Sequence, residues 1–223
     1  MAVIKGNAKQ TTSVSRVGEG VETYMRMLRD GTVGVADLIA LWSLEGRIFT
    51  IDGGGQGTTA ITFGAGTLDV LEHDLHVSVP ASVCIIPLKL IIHFDAFGTI
   101  GIVECCMQYG SGSTVGTATA CTPRSSNANT GLQSACTVKV AAATGVNLTT
   151  INEVWHDGAP LGVTVASATQ IREKVHFEYN AMNTGILYVI GPSQQLVAYA
   201  SGGSAGAGYI NFSWAELPVT SIE

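Results

Sequence analysis

The sequence predicts an all-β protein, a single jelly roll or β-sandwich preceded by a short N-terminal arm and helix. Three observations carry that reading. Apolar residues alternate with polar ones through several short runs between Arg47 and Leu217, the period of half-buried strands. Glycine, at 27 of 223 residues, exceeds the ~7% of an ordinary chain without the every-third spacing of collagen, so many turns are expected. Charged residues are 13% against a usual ~25%, while 46% are hydrophobic and the mean hydropathy is +0.33. That balance excludes a disordered chain and leaves enough apolar material for one sizeable core.

In chain order, residues 1–30 form an arm with a short helix and residues 31–223 form the jelly-roll domain. Residues 1–18 show no sustained period. Val21, Tyr24, Met25 and Leu28 then fall at i, i+3, i+4 and i+7, one face of a helix between Glu19 and Asp30. Asp30-Gly31 marks a turn, and residues 33–44 fit either period in part. From Leu71 to Val79 the odd positions Leu71, His73, Leu75, Val77 and Val79 alternate with Glu72, Asp74, His76 and Ser78, which predicts a half-buried strand. Cys84, Ile86, Leu88, Leu90, Ile92 and Phe94 make one unbroken apolar face, with Pro87 on the other face predicting a bulge or an edge position.

Further strands are predicted over Thr99–Tyr109, Val138–Ala142, Val175–Tyr179, Ile186–Ile190, Leu196–Ala200 and Tyr209–Leu217. Turn signals separate them, among them Gly110-Ser111-Gly112, Asp157-Gly158-Ala159-Pro160, Asn183-Thr184-Gly185 and Gly191-Pro192-Ser193. Eight to ten short strands at this spacing predict a sandwich or jelly roll. In the last strand Ile210, Phe212 and Trp214 share the inward face, and Glu216 shares their parity at a strand end where its carboxylate is expected to reach water or a neighbouring subunit. The polar stretch Thr114–Ser134 reads as a long excursion, a protrusion or an intersubunit contact.

Residues 1–50 carry six basic and five acidic side chains, net +1, and residues 51–223 five and twelve, net −7, so the acidity of the chain sits on the body. No basic cluster with interleaved aromatics is present, which speaks against direct nucleic-acid binding. No run reaches the ~20 apolar residues of a membrane helix, and no signal-like segment opens the chain, so synthesis in a cytoplasm is expected. Cys84, Cys105, Cys106, Cys121 and Cys136 are an odd number without a CxxC pair and read as buried thiols. Cys121 and Cys136 flank the polar loop, and a bridge between them is disfavoured in a reducing compartment.

The motifs of chemistry are outweighed by structural readings, and no catalytic, cofactor-binding or metal-ligating residues are assigned. Gly202-Gly203-Ser204-Ala205-Gly206 fits the pattern of a nucleophile elbow, but a strand follows it where a helix is required, so a hairpin loop without hydrolase activity at Ser204 is expected. Gly53-Gly54-Gly55-Gln56-Gly57 has no following lysine and reads as a turn. His73 and His76, beside Glu72 and Asp74, stand three apart and face opposite sides of a strand, so one packed and one exposed imidazole are expected, not a metal pair. His93, His156 and His176, near Asp95, Asp157 and Glu178, are isolated in sequence. Asn147-Leu148-Thr149 and Asn211-Phe212-Ser213 match the glycosylation pattern and are discounted without a signal segment.

The C-terminal third carries a resemblance. Ile186-Leu187-Tyr188-Val189-Ile190-Gly191-Pro192-Ser193, Leu196-Val197-Ala198-Tyr199-Ala200-Ser201-Gly202-Gly203, Tyr209 to Phe212 and Ser213-Trp214-Ala215-Glu216-Leu217-Pro218 follow one another. This succession resembles the close of a family of virion structural proteins of tailed bacteriophages. Its members end in a proline/glycine turn, a strand with a Tyr-Ala-rich end, a small-residue loop and a strand reading roughly Trp-x-Glu-x-Pro. The Arg47-Ile48-Phe49 strand after a short helix and the strand pair around residues 83–107 are similar in order, so the resemblance spans about half of the chain. Gly191-Pro192 stands where the family has a double proline, and the arm has no counterpart.

The resemblance implies a TNF-like jelly roll that trimerises on a capsid. The expected function is that of a non-enzymatic capsid decoration or cement protein on the virion surface, whose partners are itself, as a homotrimer, and the major capsid protein or other virion proteins. It would link capsomers by burying apolar surface. A single-jelly-roll major capsid protein is the near alternative. A carbohydrate-binding receptor-recognition module is the distant one, with Trp42, Trp155 and Tyr199 as its candidate aromatic platform.

Overall fold

A computed structural model describes residues 37–54, 60–65, 71–97, 102–142, 144–160, 175–202 and 206–221. The arm and helix expected over residues 1–30, the Asp30-Gly31 turn, and Ser204 with its immediate neighbours lie outside the described residues. The ambiguous run before Arg47 contains a helix, α1 (Leu38–Leu44). Gly46, at φ 72°, turns the chain out of it in the left-handed region that suits glycine.

The strands follow in order. β1 (Ile48–Gly53) leads to the short β2 (Ile61–Thr62) and β3 (Gly64–Ala65), then to β4 (Leu75–Ser78), β5 (Val83–Phe97) and β6 (Ile102–Gly110). An insertion after β6 carries β7 (Thr114–Val115), β8 (Thr119–Cys121), β9 (Arg124–Ser125), β10 (Thr137–Val140) and β11 (Gly145–Val146). β12 (Asn152–Pro160), β13 (Val175–Asn180), the helical turn α2 (Ala181–Thr184), β14 (Gln195–Gly202) and β15 (Gly206–Pro218) complete the fold.

One sheet runs β13-β5-β15-β1-β9 and the other β12-β6-β14-β4-β10-β8. Set aside β2, β3 and the insertion strands β7 to β11, and the first strand lies beside the last while the second lies beside the seventh. The third and sixth fill the first sheet, the fourth and fifth the second. That is the order of a jelly roll, and the all-β sandwich expected from the sequence is what the chain forms. Leu90, Ile92 and Phe94 of β5 and Ile210, Phe212 and Trp214 of β15 meet Leu75, Val77, Met107, Leu196 and Ala198 of the opposite sheet in one core. Each such side chain contributes about 1.5–3 kcal/mol on burial. Trp214 stacks on Phe212 with centroids 5.2 Å apart, which fixes the inward register of β15.

The bulge expected at Pro87 is present, on the part of β5 past the end of β13, whose last partner is Lys89. On the β15 side Ser213 faces Lys89 while Trp214 faces Pro87, so Leu88 is the extra residue. Proline has no N–H for the ladder, which favours the irregularity there. The extra residue exchanges the faces. Leu90, Ile92 and Phe94 enter the main core, whereas Ile86 and Leu88 turn to the other side and pack with Trp42, Ile48, Ala215 and Leu217 beneath α1. The single apolar face expected from Cys84 to Phe94 is therefore two faces.

Other expectations are corrected by partners that alternation does not reveal. The half-buried strand of residues 71–79 is only Leu75–Ser78, and it is buried on both faces because the insertion covers its outer side. Asp157 to Pro160 continue β12 against β6 instead of turning. Ile186–Ile190 is not a strand. Past the end of β13 only Ile190 reaches β5, through reciprocal backbone hydrogen bonds with Ile85 at 2.9 and 3.0 Å. β14 and β15 belong to different sheets, so the two strands do not pair as a hairpin. The excursion Thr114–Ser134 is folded onto the body: β8 extends one sheet, β9 the other, and Asn127 Nδ2 donates to the Leu44 carbonyl at 2.9 Å.

Candidate functional site

The densest group of titratable side chains lies where β4 begins. His73 precedes the strand, so the parity rule that would set it opposite His76 does not bind it. Both imidazoles are buried, at 0% and 4% exposure, with ring centroids 5.5 Å apart in an edge-to-face contact. The expectation of one packed and one exposed histidine is thus corrected. The insertion is the reason. β7 and β11 pair with each other and with neither main sheet, and they form a strap over this site.

Ser113 Oγ lies 3.1 Å from His73 Nε2, and the Ser113 N–H donates to Gln195 Oε1 at 3.3 Å. Tyr199, its ring centroid 5.3 Å from that of His73, donates from its hydroxyl to Asn147 Oδ1 at 3.3 Å. Leu148 packs with Cys106, Val197 and Tyr199 on the outer side of the sheet.

Asp74 does something different. It accepts from the Ala200 N–H at 2.6 Å and from the Gly64 backbone, filling the gap on β14 between the start of β4 and the start of β3. Burial pushes its carboxyl well above the ordinary range. Burial and the Lys139 ammonium hold His76 below its ordinary value, offset in part by a hydrogen bond to the Ser113 backbone. The group is a packed polar network and not an ion cage: among the described residues no three His, Cys, Asp or Glu side chains converge as metal ligands.

The remaining sequence candidates lie apart from it. His93, His176 and Tyr209 are cross-strand neighbours on the outer face of the other sheet, with His93 stacked on Tyr209 at 6.3 Å. His93 and Tyr209 border a groove of about 1080 Å³ whose polar lining includes Asp52, Arg124 and Asn211. Asn211 Nδ2 donates to Asp52 there at 2.5 Å. His156, Asp95 and Asp157 are exposed and scattered, and Glu178 pairs with Lys89 at 3.3 Å. Trp42 and Tyr199 are buried and Trp155 packs on the core, so none of the three presents the open ring that a sugar platform requires.

All five cysteines are free thiols, four of them buried. Burial pushes Cys106 up to about 12 and raises Cys105 and Cys136 further, which keeps them protonated and unreactive.

Glu216 is corrected as well. Its carboxylate is buried and accepts from Trp214 Nε1–H and the Ala135 N–H, both at 2.9 Å, and from the Ser134 hydroxyl. It ties the insertion to the last strand. A second feature emerges only in three dimensions: Met182, Ile186, Leu187 and Val189 are 60%, 54%, 43% and 44% exposed, an apolar ledge running from α2 to the Ile190 bridge. Among the described residues no helix is long and apolar enough to cross a membrane. Set against protein-family models, curated proteins and solved structures, the chain matches none.

Proposed function

We propose that the chain is a virion structural protein, a capsid decoration or cement protein that acts as a homotrimer and braces a shell across neighbouring capsomers. The observation that carries this reading is the ledge. Four large apolar side chains stand in water within the segment Met182–Val189, although the core has room-filling partners for such residues elsewhere. Exposed rows of this kind mark protein interfaces, where burial returns about 25 cal/mol per Å². The Ile85–Ile190 hydrogen bonds anchor one end of the ledge and Tyr188 packs on the core, so its side chains are offered from a braced base.

The same segment opens the run that resembles the phage structural family, and the charge content of only 13% fits a surface spent largely on contacts. The occupant of the ledge in this reading is a second copy of the chain.

Native mass measurement with negative-stain imaging tests it. A discrete trimer supports decoration, and closed shells support a major capsid protein instead. A monomer that stays monomeric at high concentration overturns the reading. Ile186→Asp with Val189→Asp is expected to dissociate the trimer while leaving the thermal transition of the subunit in place.

A further inference from the structure

We infer that Lys89 and Asn180 become joined by a self-formed side-chain amide bond that staples β13 to β5. The inference is independent of the assembly reading. The two residues stand directly opposite each other on neighbouring antiparallel strands. Leu90 and Tyr179, next to them in sequence, enter the core, so both side chains stand on the outer face of the sheet. Glu178, two residues before Asn180 on that same face, touches both. Its Oε1 lies 3.3 Å from Lys89 Nζ and accepts from Asn180 Nδ2 at 3.4 Å. The other end of the amide is held as well. The Met182 backbone N–H donates to Asn180 Oδ1 at 3.0 Å, which sets the amide with its nitrogen toward Glu178.

As an ion pair alone, Lys89 and Glu178 would contribute little, since exposed pairs are worth about 0–1 kcal/mol. What sets this pair apart is the amide beside it: one carboxylate oxygen links an amine to an amide whose carbonyl is already polarised by a backbone donor. Directly opposed side chains on a strand pair have Cβ atoms about 4.5–5.5 Å apart, a gap that the flexible four-carbon stem of lysine spans with room to bring Nζ onto Cγ. Register, and not a chance rotamer, makes the reacting groups neighbours. Groups held in this way react as if at effective concentrations of up to about 10⁵–10⁸ M when well oriented.

The step balances without an oxidant or a co-reactant. Lys89 Nζ passes a proton to Glu178 and attacks Asn180 Cγ with the electron pair so freed. The carbonyl π pair moves onto Oδ1, where the Met182 N–H meets the developing charge. Glu178 then gives its proton to Nδ2, Oδ1 closes the carbonyl again, and the Cγ–Nδ2 bond breaks with its electron pair going to nitrogen. The excess proton on Nζ returns through Glu178 to the departing ammonia. One amide is thus exchanged for another, and the escape of ammonia drives the exchange. The Lys89 and Glu178 side chains are 40% and 32% exposed, which leaves ammonia a direct way into water. β13 is an edge strand held by β5 alone, so the bond would lock it at the end where α2 and the apolar ledge begin.

Intact-mass measurement on the full chain tests the bond, on fresh protein and after a week at neutral pH. The wild-type chain is expected to end one ammonia lighter than its sequence, and tandem mass spectrometry of its digest to return a branched peptide joining Lys89 to Asn180. Lys89→Met and Asn180→Ser are expected to keep the full masses of their sequences. Serine retains an acceptor for the Met182 N–H, so that variant removes the reacting carbonyl and spares the local fold. Glu178→Gln is expected to slow bond formation about hundredfold, within the range of a positioned acid–base group. A wild-type chain that keeps its full mass through the incubation overturns the inference. So does an ammonia loss that persists in Lys89→Met, which marks an imide at an asparagine and not a cross-link, or bond formation in Glu178→Gln as fast as in the wild type.

Discussion

Glu216 offers the sharpest test of how the insertion is joined to the sandwich. Its carboxylate is the common acceptor for the Trp214 indole N–H, the Ala135 backbone N–H and the Ser134 hydroxyl, all in a site 6% exposed. Glu216→Ala removes the acceptor and leaves those donors facing apolar surroundings. An unsatisfied buried donor costs about 1–3 kcal/mol, and two that cannot rotate toward water bring the loss to roughly 2–6 kcal/mol before any cavity is counted. That is a large part of the ~5–15 kcal/mol that keeps a domain folded. Glu216→Gln retains one carbonyl oxygen but turns an NH₂ toward donors, so a loss of about 1–3 kcal/mol is expected.

Urea denaturation followed by tryptophan fluorescence measures both, with the slope checking that cooperativity is unchanged. A loss under ~0.5 kcal/mol in Glu216→Ala would refute the reasoning, since that is the range of a surface substitution. Equal losses in the two variants would show that charge, and not the count of acceptors, holds the loop.

Two further outcomes follow from the same geometry. Trp214→Ala empties a fully buried ring stacked on Phe212 and is expected to cost about 3–5 kcal/mol, whereas Ser213→Ala on the outer face loses only a 3.2 Å hydroxyl contact to Thr50 and is expected to stay within ~1 kcal/mol; denaturation midpoints separate them, and the reverse order would invert the face assignment. A thiol reagent applied to the native protein near neutral pH is expected to label the half-buried Cys121 first and the other four only on unfolding, because burial keeps Cys105, Cys106 and Cys136 protonated; fast labelling of Cys106 would contradict its place under Leu148.

The alternation of Ile210, Phe212 and Trp214 against Asn211 and Ser213 was enough to orient the last strand, because side chains on a strand change face at every residue and only one face was apolar. Pro87 was enough to announce a bulge, because the missing N–H is a property of the residue itself. Turn chemistry likewise located Gly112 and Gly185, both of which adopt positive φ.

What depends on a distant partner was not legible. Whether Ile186–Val189 forms a strand is decided by whether an edge is free to receive it, and past β13 only Ile85 is. Whether His73 and His76 share a site is decided by where β4 begins and by a strap that arrives from residues 111–149. Glu216 looks like an exposed strand end until Ser134 and Ala135, some eighty positions earlier, close over it. Local sequence determined periodicity, turns and the sandwich class, since these are set within a few residues by backbone sterics and side-chain spacing. Burial of polar groups was decided by tertiary structure alone, since it depends on which remote segment excludes the water.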